Sequence, residues 1–306
     1  MAKSRCEDIC QDPRFVMKKT NIVLIFNGLG NQMSQYAFYL AMHDRLPNTK
    51  YICWDNDHNG YELGRLFGIR KHKSPMELFI LRVLLAKKNI FILSILKLLF
   101  NKLGYGAIHE ESNYTYDVNW PSSPFKRTYW YGGWHNFRYF SNIKSKILNT
   151  FQFPSELLNK YSHSILEQII STESVAIHIR RGDYLSEDNI GLFGNICTDR
   201  YYTAAIRYIE DHVSDPRFFI FSNDSSWVED NLKIRSAVYV NMNHGGDSWM
   251  DMFLMGRCKN LIIANSTFSW WSAYLSSANI IICPTQFNNH PESGEIYPDE
   301  WVRIGS

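Results

Sequence analysis

The sequence predicts an α/β protein built on parallel sheets. Short aliphatic runs recur along the chain: "NIVLIF" (21–26), "KYICW" (50–54), "SVAIHIR" (174–180), "FFIFS" (218–222), "AVYVN" (237–241), "NLIIA" (260–264) and "NIIICP" (279–284). Helix-like stretches stand between most of them, the pattern of βαβ units whose strands are covered on both faces. With 306 residues, 45 % of them apolar and 20 % charged, the chain has core material and length for two domains.

Taken in order, the chain opens with a polar extension, residues 1–20. It carries charge where a secretory leader would be apolar, so the expected location is the cytoplasm. Met17, followed by Lys18 and Lys19, reads as an alternative start. Residues 21–158 form the first expected domain. Its strand 21–26 runs into the turn "NGLGN" and a helix "QMSQYAFYLAMHDRL" (32–46), with Gly28 and Gly30 permitting close backbone approach. The third glycine of G-x-G-x-x-G is missing, which argues against a dinucleotide fingerprint. After strand 50–54, "WDNDHNG" (54–60) holds Asp55 and Asp57. That spacing suits a divalent cation on a diphosphate, but it also arises in Asx turns, and the turn is the preferred reading.

Residues 70–105 interrupt the rhythm, with eight Lys/Arg against one Glu in a very apolar background. Two readings compete. One is an insertion of helices packed on the core; the other is a basic amphipathic surface in peripheral contact with anionic lipid at the inner face of the cytoplasmic membrane. No apolar run reaches the roughly 20 residues of a membrane span. The aromatic segment "TYWYGGWHNFRYF" (128–140) is expected between the two halves, and "FQFPSELLNKY" (151–161) reads as a linker into a second domain, 159–306. A net charge of +2 is too mild for a nucleic-acid-binding face, so no nucleic acid is expected. Cys6, Cys10, Cys53, Cys197, Cys258 and Cys283 are scattered without zinc spacing and read as reduced thiols.

The chemistry concentrates at strand ends. In "AIHIRRGDY" (176–184) a buried-strand pattern ends in His178, Arg180, Arg181 and Asp183. Charge is costly to bury unless paired, so a core strand has no use for these groups without a partner. Alternation puts Val175, Ile177 and Ile179 on one face and Ala176, His178 and Arg180 on the other, with Arg181 opposed to Arg180. Ligands bind at the carboxyl edge of a parallel sheet, and a guanidinium matches a phosphate in a bidentate manner. The plainer alternative is an Arg–Asp surface pair; the histidine and second arginine favour a ligand site. "LIIANSTFSWWSAYL" (261–275) passes through Asn265, Ser266 and Thr267 into a helix, whose N-terminus is an anion site as well as an ordinary cap. "FSNDSSWVEDNL" (221–232) turns at Ser222, Asn223 and Asp224, where an amide or carboxylate suits a guanine edge or an N-cap. Together these loops fit a nucleotide diphosphate held by protein alone.

"NGLGNQMSQYAFYLAM", "HIRRGDY", "FFIFSND" and "CKNLIIANSTFSWWSAYL", with "GGWHNFRYF" and the tail "IYPDEWVRI", carry a resemblance that spans residues 21–304. The sequence resembles the bacterial α-1,2-fucosyltransferases of glycosyltransferase family 11. The resemblance implies a GT-B-like α/β fold, two Rossmann-like domains whose mostly parallel sheets face a cleft. It implies inverting transfer of L-fucose from GDP-fucose to the 2-hydroxyl of a terminal galactose-type acceptor in surface glycan synthesis, with no metal and no cofactor. The acceptor is then a galactose-terminated oligosaccharide or a lipid-linked glycan.

By the same resemblance, Arg180 holds the donor diphosphate and stabilises the leaving group, with Arg181 in support. Ser266, Thr267 and Phe268 cradle the pyrophosphate, and Gly30 and Asn31 close over the donor from the first domain. Asn223 or Asp224, beside Ser222, contacts guanine or ribose. Three departures stand out. Asn27 occupies a place where the family more often has a second glycine, an aromatic is more often found near Ser34, and 70–105 is not obviously a shared element.

Arg180 and the helix N-terminus would oppose the charge building on the departing diphosphate. For the proton of the acceptor hydroxyl, Asp183 and His178 are the candidates, with Asp183 equally suited to pinning an arginine. Trp130, Trp134 and Phe137 are candidates to stack on acceptor sugars, against the commoner use of aromatics in core packing. The alternatives are a fucosyltransferase of another linkage and a non-catalytic GDP-sugar-binding subunit.

Overall fold

A computed structural model describes residues 19–54, 59–86, 91–232, 234–235 and 237–305. Asp55 and Asp57, most of the N-terminal extension, Lys87 and Lys88 lie outside the described residues. Two sheets organise the chain. The first is built from β1 (Thr20–Ile25), β2 (Thr49–Cys53), β3 (Tyr105–His109) and β4 (Arg127–Tyr131), in the order β2-β1-β4-β3. The second is built from β5 (Glu173–Ile179), β6 (Pro216–Ser222), β7 (Val238–Val240), β8 (Asn260–Ile262), β9 (Ile280–Pro284) and β10 (Val302–Ile304), in the order β10-β9-β8-β5-β6-β7. Every pairing in both sheets is parallel. The α/β architecture with two parallel sheets is therefore as the sequence predicts.

Helices α1 (Leu29–Arg45), α2 (Leu63–Phe67), α3 (Pro75–Leu85) and α4 (Phe91–Lys102) link the first strands. Helices α5 (Lys144–Thr150) and α6 (Lys160–Ile170) lead from the first sheet to the second. There, α7 (Ile190–Phe193), α8 (Asp199–His212), α9 (Ser225–Asn231), α10 (Trp249–Arg257) and α11 (Thr267–Leu275) supply the connections. Val175, Ile177 and Ile179 of β5 pack with Tyr201, Tyr202 and Ala205 of α8, whereas Ala176 joins the cluster holding Trp249 and Trp271. Apolar layers on both faces explain why these strands are aliphatic runs rather than alternating ones.

Three strands escape the sequence reading. β3 ("YGAIH") is short and contains a glycine, β4 ("RTYWY") lies in the aromatic segment, and β10 is a three-residue edge strand. β4 and β10 do hold strand-favouring residues, whereas β3, with its glycine, is drawn into the sheet by pairing with β4. Helix α1 also begins earlier than expected, at Leu29, so Gly30 and Asn31 lie in its first turn. The chain turns instead at Asn27, whose φ of 64° is a left-handed conformation that asparagine tolerates best after glycine. Asn27 thus supplies a left-handed turn that a glycine would also permit.

The aromatic segment joins the two halves. Phe140 stacks on Trp271 of α11 with ring centroids 5.8 Å apart, and Trp134 stacks on Phe38 of α1 at 4.1 Å. Trp271 Nε1–H donates to Ser34 Oγ (3.0 Å), which lies 3.0 Å from His135 Nδ1. A larger side chain at Ser34 would displace this buried junction. In the basic apolar stretch, α3 is capped by Ser74 and buries Ile80, Leu81 and Leu84 against Ile22, Leu24 and Ile52. Among the described residues, no helix is long and apolar enough to cross a membrane.

Candidate active site

The carboxyl ends of both sheets open onto one cavity of about 800 Å³. Its walls come from the loops after β1, β3 and β4 on one side and after β5, β6, β7 and β8 on the other. Two buried glutamines of α1 shape the first wall. Gln35 accepts from the Phe26 N–H (2.8 Å) and donates to the Gly132 carbonyl (3.0 Å), tying the end of β1 to the loop after β4. Gln32 donates to the Asn27 and Gly60 carbonyls, 2.7 Å each, and accepts from the Glu62 N–H.

On the second wall Arg180 leaves the end of β5 and meets Asp183. Its Nε lies 2.9 Å from Oδ1 and its Nη2 donates to Oδ2 at 3.0 Å, a fork-to-fork pair. The Tyr184 ring lies 5.7 Å from the guanidinium. A guanidinium has more donors than one carboxylate uses, so Arg180 keeps N–H groups for a ligand. Gly182 is needed here for space rather than for an unusual φ, since a Cβ would stand 2.4 Å from Asn223 Nδ2.

Beside Arg180 on the same wall is the N-terminus of α11, because β8 is the neighbour of β5. Ser266 is its N-cap, with Oγ accepting from the Phe268 N–H at 3.3 Å. Thr267 Oγ1 donates to Asn31 Oδ1 (3.2 Å), so the first turns of α1 and α11 touch. Aligned peptide dipoles and unpaired N–H groups make a helix N-terminus attractive to anions. His178 lines the same wall. Burial, reinforced by the positive charge of Arg180, lowers its pKa to about 3, so the ring is neutral, and its Nδ1 has no protein partner.

Besides Asp183, the carboxyl-bearing residues Glu62, Glu110, Glu111 and Asp251 line the cavity, and burial raises the pKa most in Glu110 and Asp251. Glu110, directly after β3, accepts from the Trp134 N–H through Oε2 at 2.6 Å, while Oε1 has no partner. Burial pushes its pKa up to about 8. Asp251, in the first turn of α10, accepts from Asn243 Nδ2 at 2.7 Å, and burial raises it to about 7.

With this geometry, the sequence matches the profile described as Glycosyl transferase family 11 over residues 6–305. The chain belongs to that family. An alpha-1,2-colitosyltransferase of Escherichia coli is 33% identical, with 92% of this chain and 98% of that protein covered. A galactoside alpha-(1,2)-fucosyltransferase 1 of Leontopithecus chrysomelas is 24% identical across 55% of this chain and 50% of its own. The crystal structure of fucosyltransferase NodZ from Bradyrhizobium superposes with a TM-score of 0.53 at 12% identity, covering 85% and 93% of the two chains. At that identity the likeness is one of fold, which is GT-B-like.

Within this family 11 glycosyltransferase, the cavity gathers Gly30, Asn31, His178, Arg180, Asp183, Ser222, Asn223, Ser266, Thr267 and Phe268. Other expected site residues lie elsewhere. Arg181 points to the opposite side of the strand end, where its guanidinium sits 4.0 Å from the Trp227 ring and its Nε 3.2 Å from Asp224 Oδ2. Asp224 caps α9 by accepting from the Trp227 N–H at 3.2 Å. Neither lines the cavity, because the alternation that presents Arg180 turns Arg181 away.

The expected sugar-stacking aromatics are corrected on the same ground. Trp130 and Trp134 are 1% and 2% exposed, and with Phe137 they stand outside the cavity wall, so their faces are spent on core packing. Asp183 is committed to Arg180, which favours the bracing role over proton transfer. Among the described residues, no three His, Cys, Asp or Glu side chains converge as a metal-binding group. The sequence reading missed Glu110 and Asp251. The signal for Asp251 was the polar turn after strand 237–241; Glu110 had none, because β3 itself went unread.

Proposed function

We propose that this glycosyltransferase moves L-fucose from GDP-fucose to the 2-hydroxyl of a terminal galactose-type acceptor in surface glycan synthesis, with inversion and without a metal. The observation that carries this reading is Arg180, braced by Asp183 and lining the same cavity wall as the α11 N-terminus. The bond from the sugar C1 to the β-phosphate oxygen breaks, and GDP keeps the electron pair. Arg180 and the first N–H groups of α11 stabilise that developing charge, acting as fixed dipoles that need no reorganisation. The acceptor oxygen attacks C1 from the opposite face, and its proton passes to Glu110, the carboxyl on the facing wall. Asp251 offers acceptors for the guanine N1–H and N2–H edge, and neutral His178 offers a ring nitrogen to a donor hydroxyl.

The test is an acceptor screen with GDP-fucose in the presence of EDTA, followed by linkage analysis of the product. An α-1,2 product that survives EDTA supports the reading. Another linkage, dependence on a divalent cation, or binding of GDP-fucose without transfer would each replace it. A second donor, GDP-colitose, is favoured by the 33%-identical colitosyltransferase. Colitose is fucose without its 3-hydroxyl, so competition between the two GDP-sugars discriminates them.

A further inference from the structure

Helix α4 has an inverted surface. Its twelve residues include no buried side chain, and its outward face carries Phe91, Ile92, Ile95, Leu98 and Leu99, with Leu103 just beyond it. The first two are 79% and 69% exposed. The i, i+3, i+4, i+7 spacing sets these residues on one stripe, which normally faces a core. Met76 and Phe79 of α3 are exposed as well, so among the described residues eight of the fourteen exposed large hydrophobics fall between positions 76 and 103. Single exposed aliphatics need no explanation, but a cluster of this kind does.

Charge identifies the occupant. Residues 70–105 hold eight Lys/Arg and one Glu. That single acid, Glu77, is taken up by Arg127 at 3.0 Å and by the Tyr129 hydroxyl. Lys102 lies exposed on α4 itself, with a long stem that lets its ammonium reach a headgroup while the apolar stripe sinks below it, whereas Lys97 donates to the Ala86 carbonyl at 3.4 Å. A second copy of this face would bring like charges together. A helix of this length measures about 18 Å and is too short to span a bilayer, so it would lie in the plane of the interface.

Position adds the consequence for the reaction. Phe100 of α4 stacks on Tyr105 at the start of β3 (5.9 Å), and β3 ends at His109 and Glu110 in the cavity wall. We infer that α4 docks the enzyme on an anionic bilayer and that its acceptor is a galactose-terminated glycan carried on a membrane lipid. The second half of this inference rests on the function proposed above.

The test is flotation of the full chain with phosphatidylcholine vesicles and with vesicles containing an equal share of phosphatidylglycerol. Binding should require the anionic lipid, weaken with salt, and fall at least about tenfold in the double variant Ile92→Glu, Leu99→Glu. Transfer to a galactosyl lipid embedded in the anionic vesicles should fall with it, while transfer to free lactose stays unchanged. Three results overturn the docking: no flotation with anionic vesicles, flotation indifferent to the double variant, or a concentration-dependent dimer in sedimentation that the variant dissolves. Equal loss on lactose and lipid acceptor overturns the lipid-carrier half. Failure of GDP-fucose transfer with both acceptors defeats the functional reading and leaves the flotation result standing.

Discussion

Gly30 in the first turn of α1 lies so close to Thr267 in the first turn of α11 that a Cβ on Gly30 would stand 2.7 Å from Thr267 Oγ1 and 2.8 Å from its carbonyl carbon. Two helix N-termini, one from each sheet layer, therefore meet at the cavity. Gly30→Ala would gain about 1 kcal/mol of helix propensity. Against it stands an overpacking cost of about 1–3 kcal/mol, because the obstructing atom is backbone. The expected outcome is a lower Tm and weaker GDP binding by calorimetry. An unchanged affinity would show that the junction does not shape the donor site.

Arg180→Ala should lower kcat by about 10²–10³-fold, the loss typical of removing one charge-stabilising donor. Arg180→Lys should recover little, since an ammonium cannot hold Asp183 and a phosphate in one planar fork. Asp183→Asn should give an intermediate loss with an unshifted pH profile. If the rise of kcat with pH disappeared in that variant, Asp183 would be the proton acceptor and Glu110 would not.

Glu110 and Asp251 make stability and activity run in opposite directions with pH. Their folded pKa values, about 8 and about 7, lie above the ordinary carboxylate range. Each neutral carboxyl favours the fold below that ordinary range, and the benefit is lost as pH rises through the folded value. Thermal stability should therefore fall from mildly acidic pH toward pH about 8. Glu110→Gln should flatten part of that fall, leaving the Asp251 portion. In the wild type kcat should rise through the same window as Glu110 ionises, and the Gln variant should lose that limb.

Arg181 and Asp224 provide a contrasting pair. Arg181→Ala removes a stacked guanidinium and Asp224→Ala removes a helix cap, each worth about 1 kcal/mol. Both should lower the midpoint of urea denaturation while leaving kcat at saturating donor near that of the wild type. A loss of kcat comparable to that of Arg180→Ala would return Arg181 to the donor site.

Much of this molecule is legible along the chain because its governing interactions are local. A strand covered on both faces must be aliphatic, so β1, β2, β5, β6, β7, β8 and β9 announce themselves. Arg180 and Asp183 are three residues apart at a strand end, and their pairing needs nothing from the rest of the fold. The cap at Ser266 is equally local. The basic apolar stretch shows the boundary. Composition alone left packed helices and a lipid-facing surface in competition, and tertiary contacts divided them between α3, whose apolar side is buried, and α4, whose apolar side is not.

The sequence by itself determined the α/β class, the position along the chain of most strands, and the arginine and the helix N-terminus that line one cavity. Tertiary structure decided which neighbouring groups joined them. It turned Arg181 outward onto Trp227, spent Trp130 and Trp134 on the core, and brought Glu110 and Asp251 into the cavity walls with raised pKa values. The reason is physical. Alternation and capping act over a few bonds, whereas burial and the desolvation that shifts a carboxyl depend on groups that other strands and loops bring in.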